Sequence, residues 1–318
     1  FDFASVLIKT REGRPIKVEN NPDAPTLGGA NARVHASVLS LYDIKRLQGP
    51  KANGEDVSWS DLNKQVTAKL KALAATNKPV VLLTQTFASP TTNKIIEGFK
   101  EEYPNVSHVV YDAISSSAAL AAFENVYGVR ALADYDFSKA ETIVSVAADI
   151  LGDWQGGGHD SSYTKGRIPV KGHGHSKMSH HIQFESNMTL SGANADKRVP
   201  STPATHKKVI AQIYAQLTNT SLKSDLNPEV QKAVTNAVSR LKASKNKGVV
   251  VSGIDDVAAQ EIVLAINNYL QSEVMDVAQP RLIRQGDDKA MMELIEDIKS
   301  GKVKGLLTAG INPGYTLP

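Results

Sequence analysis

Short continuous apolar runs alternate along the chain with longer segments in which apolar residues recur every three or four positions. Val80-Val81-Leu82-Leu83 is of the first kind, and Thr142-Ile143-Val144-Ser145-Val146 and the glycine-bracketed Gly248-Val249-Val250-Val251-Ser252-Gly253 also read as strands. Such runs suit strands covered on both faces. His108-Val109-Val110-Tyr111 adds a further strand. The second kind predicts helices. Over 59–75, Leu62, Val66, Leu70 and Leu73 share one face behind a Ser58 cap, and similar patterns cover 91–102, 115–127, 205–217, 228–244, 257–270 and 289–300. Strand–helix alternation predicts an α/β fold with parallel sheets and helices on both faces. At 318 residues the chain exceeds the usual size of one hydrophobic core, so two α/β subdomains or one large α/β domain are expected.

The first fifty residues depart from this pattern. Val6-Leu7-Ile8-Lys9 and Ile16-Lys17-Val18-Glu19 read as two strands around an Arg11-Glu12-Gly13-Arg14 turn, and 34–47 carries Val38, Leu41 and Leu47 at helical spacing. The expected organisation is therefore an N-terminal hairpin and linker region over 1–50, followed by an α/β region over 51–318. Within the latter, 152–177 is rich in Gly, Ser and His and reads as a long surface loop. At the other end, Leu306-Leu307-Thr308 runs into Asn312-Pro313-Gly314 like a strand and its exit loop. The expectation is a fragment of a longer polypeptide, truncated at its C-terminus.

Composition narrows the chemistry. The net charge is +3, with Lys and Arg interleaved with Asp and Glu along the chain, which argues against nucleic acid as a partner. No apolar run is long enough to span a bilayer directly. Cysteine is absent. That excludes disulfides, thiolate nucleophiles and the usual iron–sulfur ligation within this segment.

Candidate sites are few. His159, His173, His175, His180 and His181 fall close together, but without a His-Glu-x-x-His pattern they read as a polar loop rather than a metal site. Gly156-Gly157-Gly158 lacks the strand–loop–helix context of a phosphate loop and reads as a flexible connection. Asp112, Asp134, Asp136 and Asp149 stand near strand ends, where α/β proteins place ligand-binding groups, yet acidic residues there are also ordinary turn formers. No Gly-x-Ser-x-Gly elbow occurs. The polar stretch 185–198 suits a loop leaving a strand beside a crevice. No catalytic, cofactor-binding or metal-ligating residue is assigned.

Several segments, in order, resemble the molybdopterin oxidoreductase superfamily. Gly13-Arg14-Pro15-Ile16-Lys17-Val18-Glu19-Asn20-Asn21-Pro22 is similar to that family's early hairpin, and Gly28-Gly29, Arg33 and Leu41-Tyr42-Asp43-Ile44-Lys45-Arg46-Leu47 to the text that follows it. Ser58-Trp59, Asp136-Phe137 with 140–148, Glu185 to Arg198, and Gly301-Lys302-Val303-Lys304-Gly305-Leu306-Leu307 through Asn312-Pro313 continue the resemblance. The wording from Lys177 to Met188, with Ser37-Val38-Leu39-Ser40-Leu41-Tyr42-Asp43, is similar more narrowly to the iron–sulfur B subunits of bacterial alternative complex III.

That resemblance implies a cofactor-free, molybdopterin-oxidoreductase-like half of a fused subunit. Iron–sulfur clusters are expected in the ferredoxin-like half that this chain lacks. The implied function is a structural docking domain of a membrane-associated quinol oxidoreductase in respiratory electron transfer, itself non-catalytic, on the periplasmic face of the bacterial cytoplasmic membrane. The implied partners are a multihaem cytochrome c, integral membrane quinol-binding subunits and a terminal oxidase. The family's cluster-ligating cysteine falls on Asn31, which has no thiolate, and Arg33 is expected to form a surface ion pair. The alternative is a catalytic molybdopterin-dependent oxidoreductase lacking its N-terminal cluster, since some members of the family lack it.

Overall fold

The protein is described by a computed structural model covering residues 4–24, 29–168 and 178–317. His173 and His175, and Gly28 of the glycine pair, lie outside the described residues.

In chain order the strands are β1 (Val6–Arg11), β2 (Arg14–Asn20), β3 (Lys51–Ala52), β4 (Glu55–Asp56), β5 (Val80–Thr84), β6 (Val106–Val110), β7 (Leu132–Tyr135), β8 (Thr142–Val146), β9 (His180–Glu185), β10 (Lys197–Pro200), β11 (Gly248–Ser252), β12 (Met275–Arg281) and β13 (Gly305–Ala309). The α-helices are α1 (Ala32–Ala36), α2 (Trp59–Ala75), α3 (Pro90–Glu102), α4 (Ser117–Tyr127), α5 (Asp160–Lys165), α6 (Leu190–Asn194), α7 (Pro203–Thr218), α8 (Pro228–Ser244), α9 (Val257–Leu270), α10 (Asp288–Lys299) and α11 (Pro313–Thr316).

Two all-parallel sheets carry the fold, each with helices packed against both faces. The smaller has the order β13-β5-β6. Val81 and Leu83 on one face pack with Met291 and Leu294 of α10, while Val80, Leu82 and Val106 on the other pack under Leu70, Leu73, Ile96 and Phe99 of α2 and α3. The larger has the order β10-β9-β8-β11. Val144, Val146, Ile182 and Phe184 turn toward α7 and α8, and Ile143, Val249 and Val251 join a second cluster with Phe123, Phe137 and Tyr163. The larger sheet sits, in sequence, between β6 and β13 of the smaller one. A short antiparallel pair, β7 with β12, flanks it.

The N-terminal hairpin forms as predicted, with β1 antiparallel to β2, and Val18 buried. The helix expected over 34–47 does not. Only Ala32–Ala36 is α-helical, followed by a 3₁₀ segment at Ser37–Tyr42 that ends on extended Asp43. Ser37 and Ser40 donate their hydroxyls back to the carbonyls of Val34 and Ser37, and such local bonds compete with α-helix propagation.

The 152–177 stretch is also not a surface loop over its described part. Trp154–Gly156 makes a 3₁₀ turn, α5 follows, and His159 and Tyr163 are buried. Their rings supply packing that a count of apolar residues misses.

Six strands escaped the sequence pattern: the two-residue β3 and β4, and β7, β9, β10 and β12, with β10 beginning inside the 185–198 stretch that reads as a loop. β9 reads His-His-Ile-Gln-Phe-Glu, and its polar positions are as buried as its apolar ones. β12 has one buried residue, Met275, and is otherwise exposed or half-buried.

Candidate functional site

Strand order fixes where a site can form. In the larger sheet β9 and β10 lie to one side of β8 and β11 to the other. Loops leaving the C-terminal ends of β8 and β11 therefore diverge, which opens the crevice where open α/β sheets bind ligands. A cleft of about 270 Å³ is found there. Asp149, Asp153, Trp154 and Gly156 after β8 form one wall, and Gly253, Ile254 and Asp255 after β11 form the other. Ser115 and Ser116 at the start of α4 and the buried Arg284 complete it.

Tight backbone contacts hold the two walls. A Cβ on Gly253 would lie 2.1 Å from the Ala147 carbonyl oxygen, so only glycine fits where the loops part. The Trp154 indole donates to the Ser252 carbonyl at 2.9 Å, and Gln260 of α9 donates to the carbonyls of Ser252 (3.2 Å) and Ile254 (2.8 Å). Gly156, at φ +92°, leaves room for the Arg284 guanidinium, which a Cβ would approach to 2.9 Å. The triple glycine is thus a packed turn over a buried cation rather than a loose connection.

Amide donors at this end of the molecule are met by the chain's own carboxylates. Asp149 accepts from the Ser191 amide (2.9 Å) and hydroxyl (2.7 Å) at the first turn of α6. Glu185 accepts from the Thr189 hydroxyl (2.6 Å) and from Arg198 (2.5 Å). Burial pushes the Glu185 carboxyl up, but the bonds from Thr189 and Arg198 outweigh this and hold it below its ordinary value. Asp256 caps α9 through the Ala259 amide at 2.9 Å. Between the two sheets, Asp112 accepts from the Thr86 amide (2.8 Å), the Thr86 hydroxyl (2.6 Å) and the Gly286 amide (3.2 Å). Asp134 faces Arg281 at 3.8 Å, and Asp136 accepts from the Ser138 amide and hydroxyl. Of the four strand-end aspartates, Asp136 acts locally, accepting from Ser138 and pairing with Lys139 at 3.7 Å. Asp112 and Asp149 join elements distant in sequence.

Asn31 and Arg33 reach the same cleft from the N-terminal region. The Asn31 Oδ1 accepts from the Val34 amide at 2.9 Å and caps α1, while its Nδ2 donates to the Gly156 carbonyl at 3.2 Å. Arg33 makes a two-pronged pair with Asp153 at 2.6 and 2.5 Å. The expected ion pair of Arg33 is present, and its partner is a wall of the cleft.

The histidines do not converge. His159 is enclosed by Tyr135, Phe137 and Trp154, with ring centroids 6.3, 5.6 and 5.3 Å away, and its Nε2 accepts from Arg281 at 3.1 Å. Burial, with the Arg281 charge, pushes it down to about 3. His181 lies on β9, and its Nε2–H faces the Gln183 amide oxygen at 3.1 Å, which assigns Nδ1 as acceptor from the Tyr163 hydroxyl at 3.1 Å. Burial lowers it to about 4. His180 is 3.8 Å from Asp196. Among the described residues, no three His, Cys, Asp or Glu side chains are grouped to hold a metal ion, and no helix is long and apolar enough to cross a membrane.

No family model matches the chain. Over 155 residues, 47% of this chain, it is 24% identical to the menaquinone reductase molybdopterin-binding-like subunit of Nitratidesulfovibrio vulgaris, and it spans 22% of that relative's length. Among solved structures, the formyltransferase/hydrolase complex of Methylorubrum extorquens, bound to methylofuran, superimposes with a TM-score of 0.55 at 15% identity, covering 81% of this chain and 76% of the other. Acetylene hydratase from Pelobacter acetylenicus gives a TM-score of 0.55 at 12% identity, covering 86% and 43%. These structures share the fold. The chain is thus a mixed α/β protein with parallel sheets and a distant sequence relationship to a molybdopterin-binding-like subunit of a quinone reductase.

Proposed function

We propose that the chain is a structural docking domain of a membrane-associated quinol oxidoreductase of the alternative complex III kind, with no redox centre of its own. The observation that carries this reading is the set of carboxylates at the switch-point end of the larger sheet. A molybdopterin dinucleotide carries a pyrophosphate, which needs amide donors or cations facing the crevice. Here the amides of Ser191 and Ala259 are bonded to Asp149 and Asp256, and Asp149, Asp153 and Asp255 line the opening. An anion entering would meet three carboxylates, of which Asp153 is paired with Arg33, set against the Arg284 guanidinium. The cleft, at about 270 Å³, also falls below the roughly 300–1,000 Å³ of pockets that hold drug-sized ligands. The residues present therefore do not fit that cofactor, and no reaction step is assigned through it.

Asn31 supports the same reading from the other side of the cleft. A neutral amide that caps a helix and clamps the Gly156 carbonyl serves as a structural joint, and it has no thiolate for iron. In this reading, electrons pass through neighbouring redox subunits or a ferredoxin-like half holding iron–sulfur clusters. A multihaem cytochrome c, integral membrane quinol-binding subunits and a terminal oxidase are the proposed partners, on the periplasmic face of the membrane. The relative in N. vulgaris, named as a subunit of a menaquinone reductase, supports a place in quinone-linked electron transport.

The second reading, a catalytic molybdopterin enzyme lacking its N-terminal cluster, is favoured by one observation. A buried guanidinium, Arg284, lies in the cleft, and it is a cation suited to phosphate. Extraction of a fluorescent pterin, together with metal analysis, separates the two readings.

A further inference from the structure

The charge of this chain is less evenly spread than its total suggests. Eight of the 36 Lys and Arg, but two of the 33 Asp and Glu, lie between 205 and 247, so the remainder carries a net excess of acidic groups. That segment is the α7–α8 helical hairpin. Its apolar side is fully used: Val209, Ile210 and Ile213 of α7 and Val230, Val234, Val238 and Leu241 of α8 are buried against the larger sheet. The opposite side of α8 presents Lys232, Arg240 and Lys242, all exposed, with Lys223 exposed in the connection and Lys245 just beyond the helix. Lys207 and Lys208 are paired with Asp256 and Asp225, and Lys247 with Glu141.

Beside these cations lies an open groove of about 670 Å³ between the C-terminal end of α7 and α8. Thr220, Ser221, Thr235 and Ser239 line it with hydroxyls, and Asn219 and Gln216 with amides. The Lys242 ammonium reaches across it to the Gln216 carbonyl at 2.9 Å. A solubilising surface would mix charges of both signs. Here Lys242 lines a concave, polar, hydrogen-bonding surface, and Lys223, Lys232 and Lys245 are exposed on the same hairpin segment.

From this charge pattern, and resting on the docking reading above, we infer that the α7–α8 groove is a docking surface for an acidic, extended segment of a partner polypeptide. Carboxylates supply the counter-charge, and a peptide backbone supplies donors and acceptors for the groove hydroxyls and amides. An anionic bilayer fits less well, because Leu222 is the only large apolar side chain exposed on the hairpin, and interfacial binding needs buried apolar area. Single-stranded nucleic acid fits less well too, because the groove is lined by no aromatic ring for base stacking.

The test is binding of a fluorescein-labelled Glu-Gly repeat peptide to the purified chain at low and at high salt. One variant carries Lys223→Glu, Lys232→Glu, Arg240→Glu and Lys242→Glu. Its control carries the same four-charge reversal on the smaller sheet's helices, at Lys64, Lys69, Lys71 and Lys94. A milder set with glutamine at the first four positions guards against misfolding, with circular dichroism as the check. The expected result is binding that weakens with salt, falls about tenfold or more in the hairpin variants, and persists in the control. Absence of binding to the unaltered chain, or equal loss in the control, would overturn the inference. So would tighter binding of phosphatidylglycerol vesicles or single-stranded RNA under the same conditions, or self-association that the hairpin variants abolish. Molybdenum in the chain would overturn the docking reading and leave this binding result standing.

Discussion

At the scale of single residues, Asn31 and the buried histidines are the informative positions. Asn31 could be located by alignment of motifs, but its role could not. Its two polar atoms do different work, one capping α1 and one holding the Gly156 carbonyl 125 residues away. Asn31→Ala is expected to cost about 1 kcal/mol for the cap and somewhat more for the lost clamp, read as a lower urea midpoint. Asn31→Asp keeps the acceptor for Val34 and loses the donor to Gly156. It should therefore recover the cap contribution alone. The histidines carry a pH dependence with a definite sign. His159 and His181 are neutral in the folded chain because burial lowers them to about 3 and about 4, whereas in the unfolded chain they bind a proton below about 6.5. The unfolded state then holds more protons, so stability falls as pH drops from about 6.5 toward 4, by up to about 1.4 kcal/mol per pH unit for each histidine. Asp196 acts in a separate, lower window. Burial raises it, but hydrogen bonds from Arg167 and the His181 amide prevail and hold it at about 2, so its contribution is lost below about pH 4. Urea midpoints across pH 4 to 7 read the histidine window, and a flat profile there would contradict the neutral assignment.

At the scale of elements, the edges of the larger sheet show how side chains finish what strands begin. β11 has β8 on one side only. On its free side Asn267 of α9 accepts from the Val250 amide (2.8 Å) and donates to the Val250 carbonyl (2.7 Å), as a neighbouring strand would. Ser272 bonds the Gly248 carbonyl, and Trp154 and Gln260 bond that of Ser252. Asn267→Ala leaves two buried backbone groups without partners and is expected to cost about 2–4 kcal/mol. Asn267→Asp, which keeps the acceptor only, should be intermediate at neutral pH or worse if its charge stays buried. Chemical denaturation distinguishes these outcomes.

The same scale shows why some elements were legible in sequence and others were not. β5 and β11 are built on continuous apolar runs and β8 is rich in β-branched residues, and α2 and α8 carry clear caps in Ser58 and Asn227 with stripes of apolar residues behind them. β9 is not readable this way, because His181, Gln183 and Glu185 form a buried polar row on one face, each bonded to the next. Polarity there marks internal hydrogen bonding, which a hydropathy pattern takes for a loop. The 34–47 helix failed for the opposite reason: apolar spacing was right, but serine hydroxyls tightened the backbone. The cleft itself was illegible, since it is made by strand order, and the two switch-side strands are about a hundred residues apart.

At the scale of the whole molecule, charge is arranged as if for assembly. Carboxylates gather at the switch-point end and are largely consumed by internal amides and Arg33, while basic side chains outnumber acidic ones on the α7–α8 hairpin. The overall charge of +3 conceals both features, although the basic excess is already present along the sequence, as eight Lys and Arg against two Asp and Glu over 205–247. Open α/β sheets can frame a dinucleotide crevice at the switch point; here that place holds a cleft of about 270 Å³ lined by Asp149, Asp153, Asp255 and Arg284, and a shared fold does not carry its function with it. Metal and pterin analysis of the purified chain tests this most directly, with molybdenum, tungsten and iron measured by mass spectrometry and oxidised pterin by fluorescence after acid extraction. The expected result is metal far below one atom per chain and no pterin fluorescence above a blank. Stoichiometric molybdenum or tungsten with extractable pterin would contradict the docking-domain reading and establish the chain as a cofactor-bearing enzyme.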